Sequence, residues 1–418
     1  MTVATAQRQV EVCADWDDLP APTAMGVLSV TSTRGHDVLS FTYDDAWLAS
    51  DQARILDPAL RLHAGPQYPG QAQPSFGMFL DSSPDRWGRT LLDRREALRA
   101  RVEGRPPKPL RELDYLLGVH DGHRLGALRF RRDGGPFLDD DTALASPWTT
   151  LRELAAASLA LEEAGAEDDP AYGQWLALLI APGRSLGGAR PKASVVDTDG
   201  QLWIAKFPSA ADTHDAGAWE GVVHTLASRA GITVPAARCQ RFGSRHHTYL
   251  SRRFDRTTAM RRLHFASAMT LLQHRDGDPA SYLELADVIV TQGASAAADL
   301  EQLWRRIVFN MCVSNVDDHL RNHGFLLAAR GWSLAPAFDL NPVPGGSGLT
   351  LNVSETDNAQ DLQLAHDVAR YFRVTPKRAR ALEHEVVAAV RTWSDVASAA
   401  SLSRTSQAAM APAFRLVE

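Results

Sequence analysis

The 418-residue sequence has few cysteines, no long apolar run and no signal-like N-terminus. Its cysteines, Cys13, Cys239 and Cys312, lie far apart and form no CxxC or Cys/His ligand spacing, which argues against disulfides and structural zinc. The longest apolar stretches, such as residues 175–181, are far shorter than the roughly 20 residues of a membrane span. The first residues lack the basic start and apolar core of a secretory signal. We therefore expect a cytoplasmic protein without membrane segments.

The sequence also lacks a strong charge excess, since its formal net charge is -6. This balance predicts no general attraction for nucleic acid, which depends on concentrated Lys and Arg. Residues 86–133 are an exception, with 13 Lys or Arg against 7 Asp or Glu. Such a segment is either a solvated face or a local contact surface for nucleic acid. With 44% hydrophobic and 22% charged residues, the chain is typical of globular proteins with two or three packed units.

The hydrophobic pattern predicts a β-rich front, a mixed middle and an α-rich back, and hence an α+β fold. The expected domains are residues 1–140, residues 141–266 with a Gly-rich loop, and a helical domain at 267–418. Short strands are predicted at 24–30, 38–41, 125–131, 194–196, 202–207 and 249–254, and helices at 89–102, 149–164, 216–230 and 376–393. Another helix is indicated by one apolar stripe between Leu300 and Met311.

The densest polar segment is S-N-V-D-D-H-L-R-N-H at residues 314–323, directly after the helix with that stripe. Phosphoryl transfer needs a carboxylate to orient and deprotonate the acceptor hydroxyl, and an amide oxygen to help hold Mg²⁺. Asp317 and Asn322 are five positions apart, which is the separation of the Asp and Asn in the kinase catalytic loop. Asp318 competes with Asp317 for the role of base. The structural alternative is a polar helix end followed by a loop.

A second acidic site lies in L-A-P-A-F-D-L-N-P at residues 334–342, where Asp339 stands among apolar residues. Burying a carboxylate costs several kcal/mol unless a cation or donor compensates it. Mg²⁺ would compensate it, because this ion binds one or two carboxylates together with phosphate oxygens. The alternative is an ordinary turn or N-cap residue.

Three further features precede these segments in the order that a kinase requires. S-L-G-G-A-R-P-K at residues 185–192 offers the backbone of Gly187 and Gly188 and the cation of Lys192 to nucleotide phosphates. Lys206 ends the strand-like L-W-I-A-K, and Glu220 follows 14 positions later on a predicted helix, where it could pair with that lysine. Each feature has a plain structural alternative: a turn, a solvent-facing lysine and a solvated helix glutamate.

Together with W-E-G-V-V-H-T-L-A-S-R-A-G-I-T-V-P, S-R-R-F-D-R, N-V-D-D-H-L-R-N-H-G-F and A-F-D-L-N-P, these segments resemble HipA-type serine/threonine kinases, the toxins of bacterial type II toxin–antitoxin pairs. The front segments F-G-M-F-L-D-S-S-P-D-R-W-G-R and L-G-A-L-R-F are similar too. The resemblance implies a two-lobed, protein-kinase-like fold that uses ATP and Mg²⁺. It implies that Lys206 contacts ATP phosphates and pairs with Glu220, that Asp317 is the base, and that Asn322 and Asp339 bind the metal.

The same resemblance implies regulation and partners. Ser185 would be autophosphorylated, and this would silence the enzyme. The partner would be a HipB-like helix-turn-helix antitoxin, through which the complex reaches operator DNA. The implied substrate is an aminoacyl-tRNA synthetase, whose phosphorylation halts translation. Two other functions stay open at this point: a kinase acting on a small metabolite, because the same core residues serve any hydroxyl, and a catalytically silent co-repressor subunit.

Overall fold

The computed structural model describes residues 7–33, 36–70, 73–138, 146–180, 188 and 190–417. These residues form two compact units. The first unit contains the described residues up to Leu202 together with Asp255–Arg275, and the second contains Trp203–Phe254 and the described part of Asp276–Glu418. The division into three domains, with boundaries near residues 140 and 266, stays a prediction.

The strands in the described ranges are numbered along the chain. They are β1 (Gln7–Ala14), β2 (Thr23–Thr33), β3 (His36–Tyr43), β4 (Leu128–Arg131), β5 (Ser146–Pro147), β6 (Lys192–Val196), β7 (Leu202–Lys206), β8 (Ala237–Gln240), β9 (Thr248–Arg252), β10 (Phe265–Ser267), β11 (Gly324–Ala328) and β12 (Gly331–Leu334).

The α-helices are numbered in the same way. They are α1 (Asp45–Leu48), α2 (Gly77–Asp81), α3 (Arg86–Val102), α4 (Glu112–Leu117), α5 (Leu151–Ala160), α6 (Tyr172–Ile180), α7 (Ala216–Arg229), α8 (Ala268–Leu272), α9 (Tyr282–Gln292), α10 (Ala296–Cys312), α11 (Leu362–Val368), α12 (Pro376–Val390), α13 (Trp393–Ala399) and α14 (Arg404–Met410). In the part of the chain that the structure describes, none of them combines the length and the apolar character that crossing a membrane requires.

The first unit is built on an antiparallel sheet with the strand order β3-β2-β1-β4. Aromatic side chains fill one side of this sheet. Phe79 on α2 packs edge-on against Phe41 of β3, with ring centroids 5.6 Å apart, and contacts Phe130 of β4 at 6.1 Å. All three rings are buried. Large rings contribute much of the apolar area that stabilises a small sheet domain.

Helix α3 begins earlier than the sequence pattern predicts. We expected a start at residue 89, whereas the helix starts at Arg86 because Asp85 is its N-cap and accepts a hydrogen bond from the Gly88 amide at 2.8 Å. An N-cap carboxylate satisfies one of the free N–H groups of the first helical turn.

Several cations of the basic segment at residues 86–133 are paired within the first unit. Arg89 makes a bidentate pair with Glu112 at 2.8 and 2.7 Å. Further pairs join Arg105 to Glu96, Arg111 to Asp37, Arg129 to Asp121, and Arg131 to Glu11. Cations that are paired inside a unit offer less charge to phosphates. The choice between a solvated face and a nucleic-acid surface for this segment stays a prediction.

In the second unit, β9 pairs antiparallel with both β7 and β8, and α7 packs on β8 and β9. The helix is capped by Asp215, whose carboxylate accepts from the Ala218 amide at 3.2 Å. It ends before Gly231, which has φ +73, as expected for a glycine that closes a helix.

Helix α10 is the centre of the second unit and packs against α9, α11 and α12. The predicted stripe of Leu300, Leu303, Ile307, Val308 and Met311 is completely buried. Trp304 lies between these residues and donates its indole N–H to the Ala365 carbonyl at 2.8 Å. The predicted helix at 376–393 is divided into α12 and α13. Helix α10 therefore provides a rigid support for the loop that follows Cys312.

Candidate active site

Lys206, the last residue of β7, binds two carboxylates of the second unit. Its Nζ lies 2.5 Å from Oε1 of Glu220 and 2.6 Å from Oδ1 of Asp339, and it also faces the ring of Tyr249 at 5.7 Å. Burial alone would lower the pKa of this lysine, but the charges of Asp339 and Glu220 outweigh burial and hold the pKa above its ordinary value. The lysine is therefore a permanent cation at neutral pH.

Two glycines allow α7 to bring Glu220 to this position. A Cβ on Gly217 would lie 2.2 Å from the carbonyl oxygen of His247, and a Cβ on Gly221 would lie 2.3 Å from Sγ of Cys239. Both contacts are closer than real Cβ atoms tolerate, so the helix can approach β8 and β9 only where side chains are absent. Glu220 is buried, 4% exposed, between the two glycines.

Asp339 occupies a turn with left-handed backbone geometry, φ +59. Asp adopts this conformation more readily than most residues, but the conformation still costs some backbone strain. Asn341 donates its Nδ2 hydrogen to Oδ1 of Asp339 at 3.2 Å, so the same oxygen accepts from an amide and from Lys206. The turn thereby directs the carboxylate toward the lysine.

The loop after α10 holds the other two predicted residues. Ser314 has φ +48, which turns the chain away from the helix axis. Asp317 is exposed, and its backbone carbonyl accepts a hydrogen bond from Nδ2 of Asn322 at 3.1 Å. Asn322 is buried and lies in a short 3-10 helix, Leu320–Asn322. The spacing of five residues therefore brings the two side chains to one loop.

Asp318, the competitor for the role of base, has a different environment. It is 2% exposed, and its Oδ2 accepts from the Tyr282 hydroxyl at 2.5 Å, from Nδ2 of Asn310 at 2.9 Å and lies 2.8 Å from Nε2 of His323. Burial by itself would raise the pKa of Asp318, but these partners outweigh burial and lower it. A carboxylate enclosed by three donors is placed to hold the loop, and the exposed Asp317 is free to meet a substrate.

The oxygen atoms of Asn322 and Asp339 decide whether the site suits Mg²⁺. Oδ1 of Asn322 is buried and has no hydrogen-bond partner within the described residues. A buried oxygen without a partner is destabilising unless a cation or a donor compensates it. Amide and carboxylate oxygens, completed by phosphate, are ligands that Mg²⁺ prefers. The oxygens of Asn322 and Asp339 are therefore of the kind that Mg²⁺ binds together with a nucleotide.

Lys192, at the start of β6, has a partner that the sequence did not indicate. Its side chain is 1% exposed, and Nζ lies 2.7 Å from Oδ2 of Asp85 and 3.2 Å from the carbonyl oxygen of Gly188. Its own carbonyl accepts from the Trp87 indole at 3.2 Å. The nucleotide contacts predicted for Lys192 and Gly188 stay predictions.

The remaining predicted positions, Ser185 and Gly187, lie outside the described residues. Sequence reasoning did not single out Tyr282, Asn310 or Asn341, each of which contacts a site carboxylate. Asn341 follows Asp339 within the A-F-D-L-N-P segment, so this proximity was the one signal available for it. Tyr282 and Asn310 gave no signal, because they lie 36 and 8 positions from Asp318 on separate helices.

Comparison with known proteins identifies the group to which this arrangement belongs. Residues 184–394 match the family described as HipA-like C-terminal domain, and this segment covers just over half of the chain. The chain belongs to this family. The resemblance to HipA-type proteins carried by the sequence motifs is thereby confirmed.

Two known proteins show how far the likeness extends beyond the HipA-like C-terminal domain. Putative kinase Y4dM of Sinorhizobium fredii (strain NBRC 101917 / NGR234) is 26% identical over 255 residues, which cover 56% of this chain and only 57% of that protein. A chain of the solved Shewanella oneidensis MR-1 complex of HipA, HipB and operator DNA matches 98% of this chain and 95% of its own length, with a TM-score of 0.67 and 16% identity. At this identity the likeness shows the fold alone: the chain shares the fold of that chain of the HipA complex, and the expected α+β class is confirmed.

Proposed function

We propose that this chain is a serine/threonine protein kinase of the HipA type that transfers the terminal phosphoryl group of ATP with the help of Mg²⁺. The observation that carries the proposal is the position of Lys206 between Glu220 and Asp339, with Asp317 and Asn322 joined on one loop of the same unit. A lysine held by a helix glutamate, together with a metal-binding Asp and a catalytic-loop Asp and Asn, is the set of groups that kinases use.

Each side chain has a defined task in this reaction. Glu220 holds the Lys206 ammonium, which contacts the nucleotide phosphates. Asp317 orients the acceptor hydroxyl and accepts its proton, while the hydroxyl oxygen bonds to the terminal phosphorus and the bond from that phosphorus to the ADP oxygen breaks. Asn322 and Asp339 are the residues that would hold Mg²⁺. The ion supplies neutralisation of the negative charge on the transferring group.

We also propose that the chain is the toxin of a toxin–antitoxin pair in the cytoplasm. The structural likeness to a chain from a complex of HipA, HipB and operator DNA supports a HipB-like helix-turn-helix antitoxin as partner. Contact with operator DNA is proposed through that antitoxin, on the strength of the same likeness. An aminoacyl-tRNA synthetase is the proposed substrate, on the strength of family membership.

Inhibitory autophosphorylation at Ser185 is part of the same proposal. Transfer to the Ser185 hydroxyl would add about 1.5 to 2 negative charges next to Gly187 and Gly188, where ATP phosphates would bind. Repulsion between these phosphates would oppose nucleotide binding. The support for this step is the position of the serine directly before the Gly-rich segment.

The experiment compares the purified chain with its Asp317→Asn variant in cell extract containing Mg²⁺ and ATP labelled on the terminal phosphate. We expect the label on a tRNA synthetase and on Ser185 of the chain, located by mass spectrometry, and on neither with the variant. Label on small molecules only would support a metabolite kinase instead. A complete lack of label, with the chain folded, would support a silent co-repressor subunit and overturn the proposal.

A further inference from the structure

A chain of side-chain amides connects the loop of Asp318 to the turn of Asp339. Nδ2 of Asn310 donates to Asp318 at 2.9 Å, and Oδ1 of Asn310 accepts from Nδ2 of Asn315 at 3.1 Å. Oδ1 of Asn315 accepts from the backbone N–H of Asn341 at 3.1 Å, and the Asn341 side chain donates to Asp339 at 3.2 Å. All five residues lie in the second unit.

The groups at the two ends of this series of hydrogen bonds fix the orientations of the Asn310 and Asn315 side-chain amides. The backbone N–H of Asn341 can only donate, so Asn315 must present its oxygen to it and its NH₂ group to Asn310. The ionised carboxylate of Asp318 can only accept, so Asn310 must present its NH₂ group there and its oxygen to Asn315. The two requirements agree. Reversal of Asn315 would therefore break two hydrogen bonds. Reversal of Asn310 would break three, because its Nδ2 also donates to the Tyr282 hydroxyl at 3.3 Å.

Burial raises the energetic cost of losing any of these hydrogen bonds. Asn310 and Asn315 are each 1% exposed, so water cannot replace a lost partner. A buried amide group left without a partner destabilises the fold. Asn315 is also held by its own backbone, which donates to the Asn310 carbonyl at 2.9 Å. The segment of Asp317 and Asn322 and the turn of Asp339 therefore have little freedom to move independently of each other.

We propose that Asn315 is a positioning residue for phosphoryl transfer, which fixes the Asp339 turn relative to the loop of Asp317 and Asn322. The inference rests on the proposed kinase function and extends it. Asn315 touches no reacting group and acts through Asn341. Two metal-binding oxygens carried by two separate segments form one site only if the segments keep a constant spacing, and a misplacement of about 1 Å can reduce a rate about 100-fold.

Three single variants and one double variant test this role: Asn315→Ala, Asn341→Ala, both together, and Ser314→Ala as a matched control. The Ser314 side chain is buried next to Asn315, but its hydroxyl donates to the Ala413 carbonyl at 2.8 Å, outside the amide chain. We expect kcat to fall about 10- to 100-fold for Asn315→Ala, with the KM for ATP changed less than about threefold. The double variant should lose no more than the more impaired single variant, because both act on one connection.

Hydrogen exchange gives a second measurement that needs no enzyme activity. In Asn315→Ala the Asn341 amide loses its acceptor, so its exchange should become about ten times faster, whereas Ser314→Ala should leave it unchanged. The inference is overturned if Asn315→Ala reduces kcat no more than Ser314→Ala, or if Asn341 exchange does not change. If the wild type transfers no phosphate, the proposed function fails, and the exchange comparison alone decides whether the two segments are coupled.

Discussion

Lys206 and Asp339 are 133 positions apart in the sequence, yet Nζ of the lysine lies 2.6 Å from Oδ1 of the aspartate. The aspartate reaches this position through a backbone with φ +59, and it shares the lysine with the buried Glu220. Charges that are largely removed from water interact strongly. An anion or cation that binds next to Lys206, Glu220 and Asp339 will therefore change the electrostatic energy of all three side chains.

The first prediction separates the two neighbouring aspartates of the catalytic loop. Asp317→Asn should reduce phosphoryl transfer by roughly 100- to 10,000-fold and leave the melting temperature nearly unchanged, because Asp317 is exposed. Asp318→Ala should instead lower the stability by about 3 kcal/mol or more, because it leaves the buried Tyr282 hydroxyl and Asn310 amide without their acceptor. Thermal denaturation and a transfer assay on both variants measure the two effects. An unaltered melting temperature for Asp318→Ala would contradict the role given to that residue.

The second prediction concerns the magnesium requirement. Asn322→Ala removes the buried oxygen that has no partner among the described residues, so the Mg²⁺ concentration for half-maximal activity should rise about tenfold or more. Arg321→Ala is the control, because the Arg321 side chain is exposed and pairs with Asp276. A magnesium titration of both variants gives the comparison. Equal requirements in the two variants would show that Asn322 is not a ligand.

The third prediction addresses the buried pair of Lys192 and Asp85. Lys192→Met should cost about 3–5 kcal/mol, because it leaves a carboxylate buried without its cation. Adding Asp85→Asn should recover part of this loss, since the amide oxygen can still cap α3 at the Gly88 amide. Denaturation of both single variants and the double variant forms the cycle. No recovery in the double variant would refute the pairing, and a raised KM for ATP would reveal the nucleotide contact that the sequence predicts for Lys192.

The fourth prediction is a pH dependence of stability in the first unit. Burial raises the pKa of Asp81 to about 6, although its carboxylate accepts from the Ser267 amide at 2.7 Å. A raised folded-state pKa means that the folded chain holds the proton more tightly than the unfolded chain. The stability that this proton contributes is complete below the ordinary pKa of about 3.8 and is lost as the pH rises through about 6.

Asp81→Asn removes that titration and keeps an oxygen acceptor. The variant should therefore resemble the wild type near pH 4 and be more stable by about 1–3 kcal/mol at pH 8. Melting curves across this pH range measure the difference, with the exposed Asp51→Asn as a control. A stability difference that is the same at both pH values would rule out Asp81 as the titrating group.

Periodic patterns in the sequence were sufficient for much of the fold. The stripe from Leu300 to Met311 predicts the central helix α10, and Gly231 marks the end of α7, because helix periodicity and left-handed glycine stops act within a few residues. Strand β1 gave a weaker signal: Arg8, Gln9 and Glu11 interrupt its apolar residues. Its position depends on pairing with β2 and β4 on either side, which local periodicity does not encode.

In the candidate site, too, some contacts were predictable from the sequence and others were not. Asp317 and Asn322 are five positions apart in one loop, and Glu220 follows Lys206 by 14 positions on the next helix. These short separations allowed the sequence alone to suggest both pairs. The contacts of Asn315 with Asn310 and Asn341 were not predictable, because asparagines in loops are common and their partners depend on tertiary packing.

The most direct test of the account is a crystal of the chain with Mn²⁺ and a non-hydrolysable ATP analogue, since Mn²⁺ takes the oxygen ligands that Mg²⁺ takes and can be located by its anomalous scattering. We predict an anomalous peak bound to Oδ1 of Asn322 and to the Asp339 carboxylate at roughly 2.1 Å, with the analogue's phosphates completing the coordination and contacting Lys206. A metal and nucleotide bound elsewhere, with Asn322 and Asp339 contacting neither, would contradict the account.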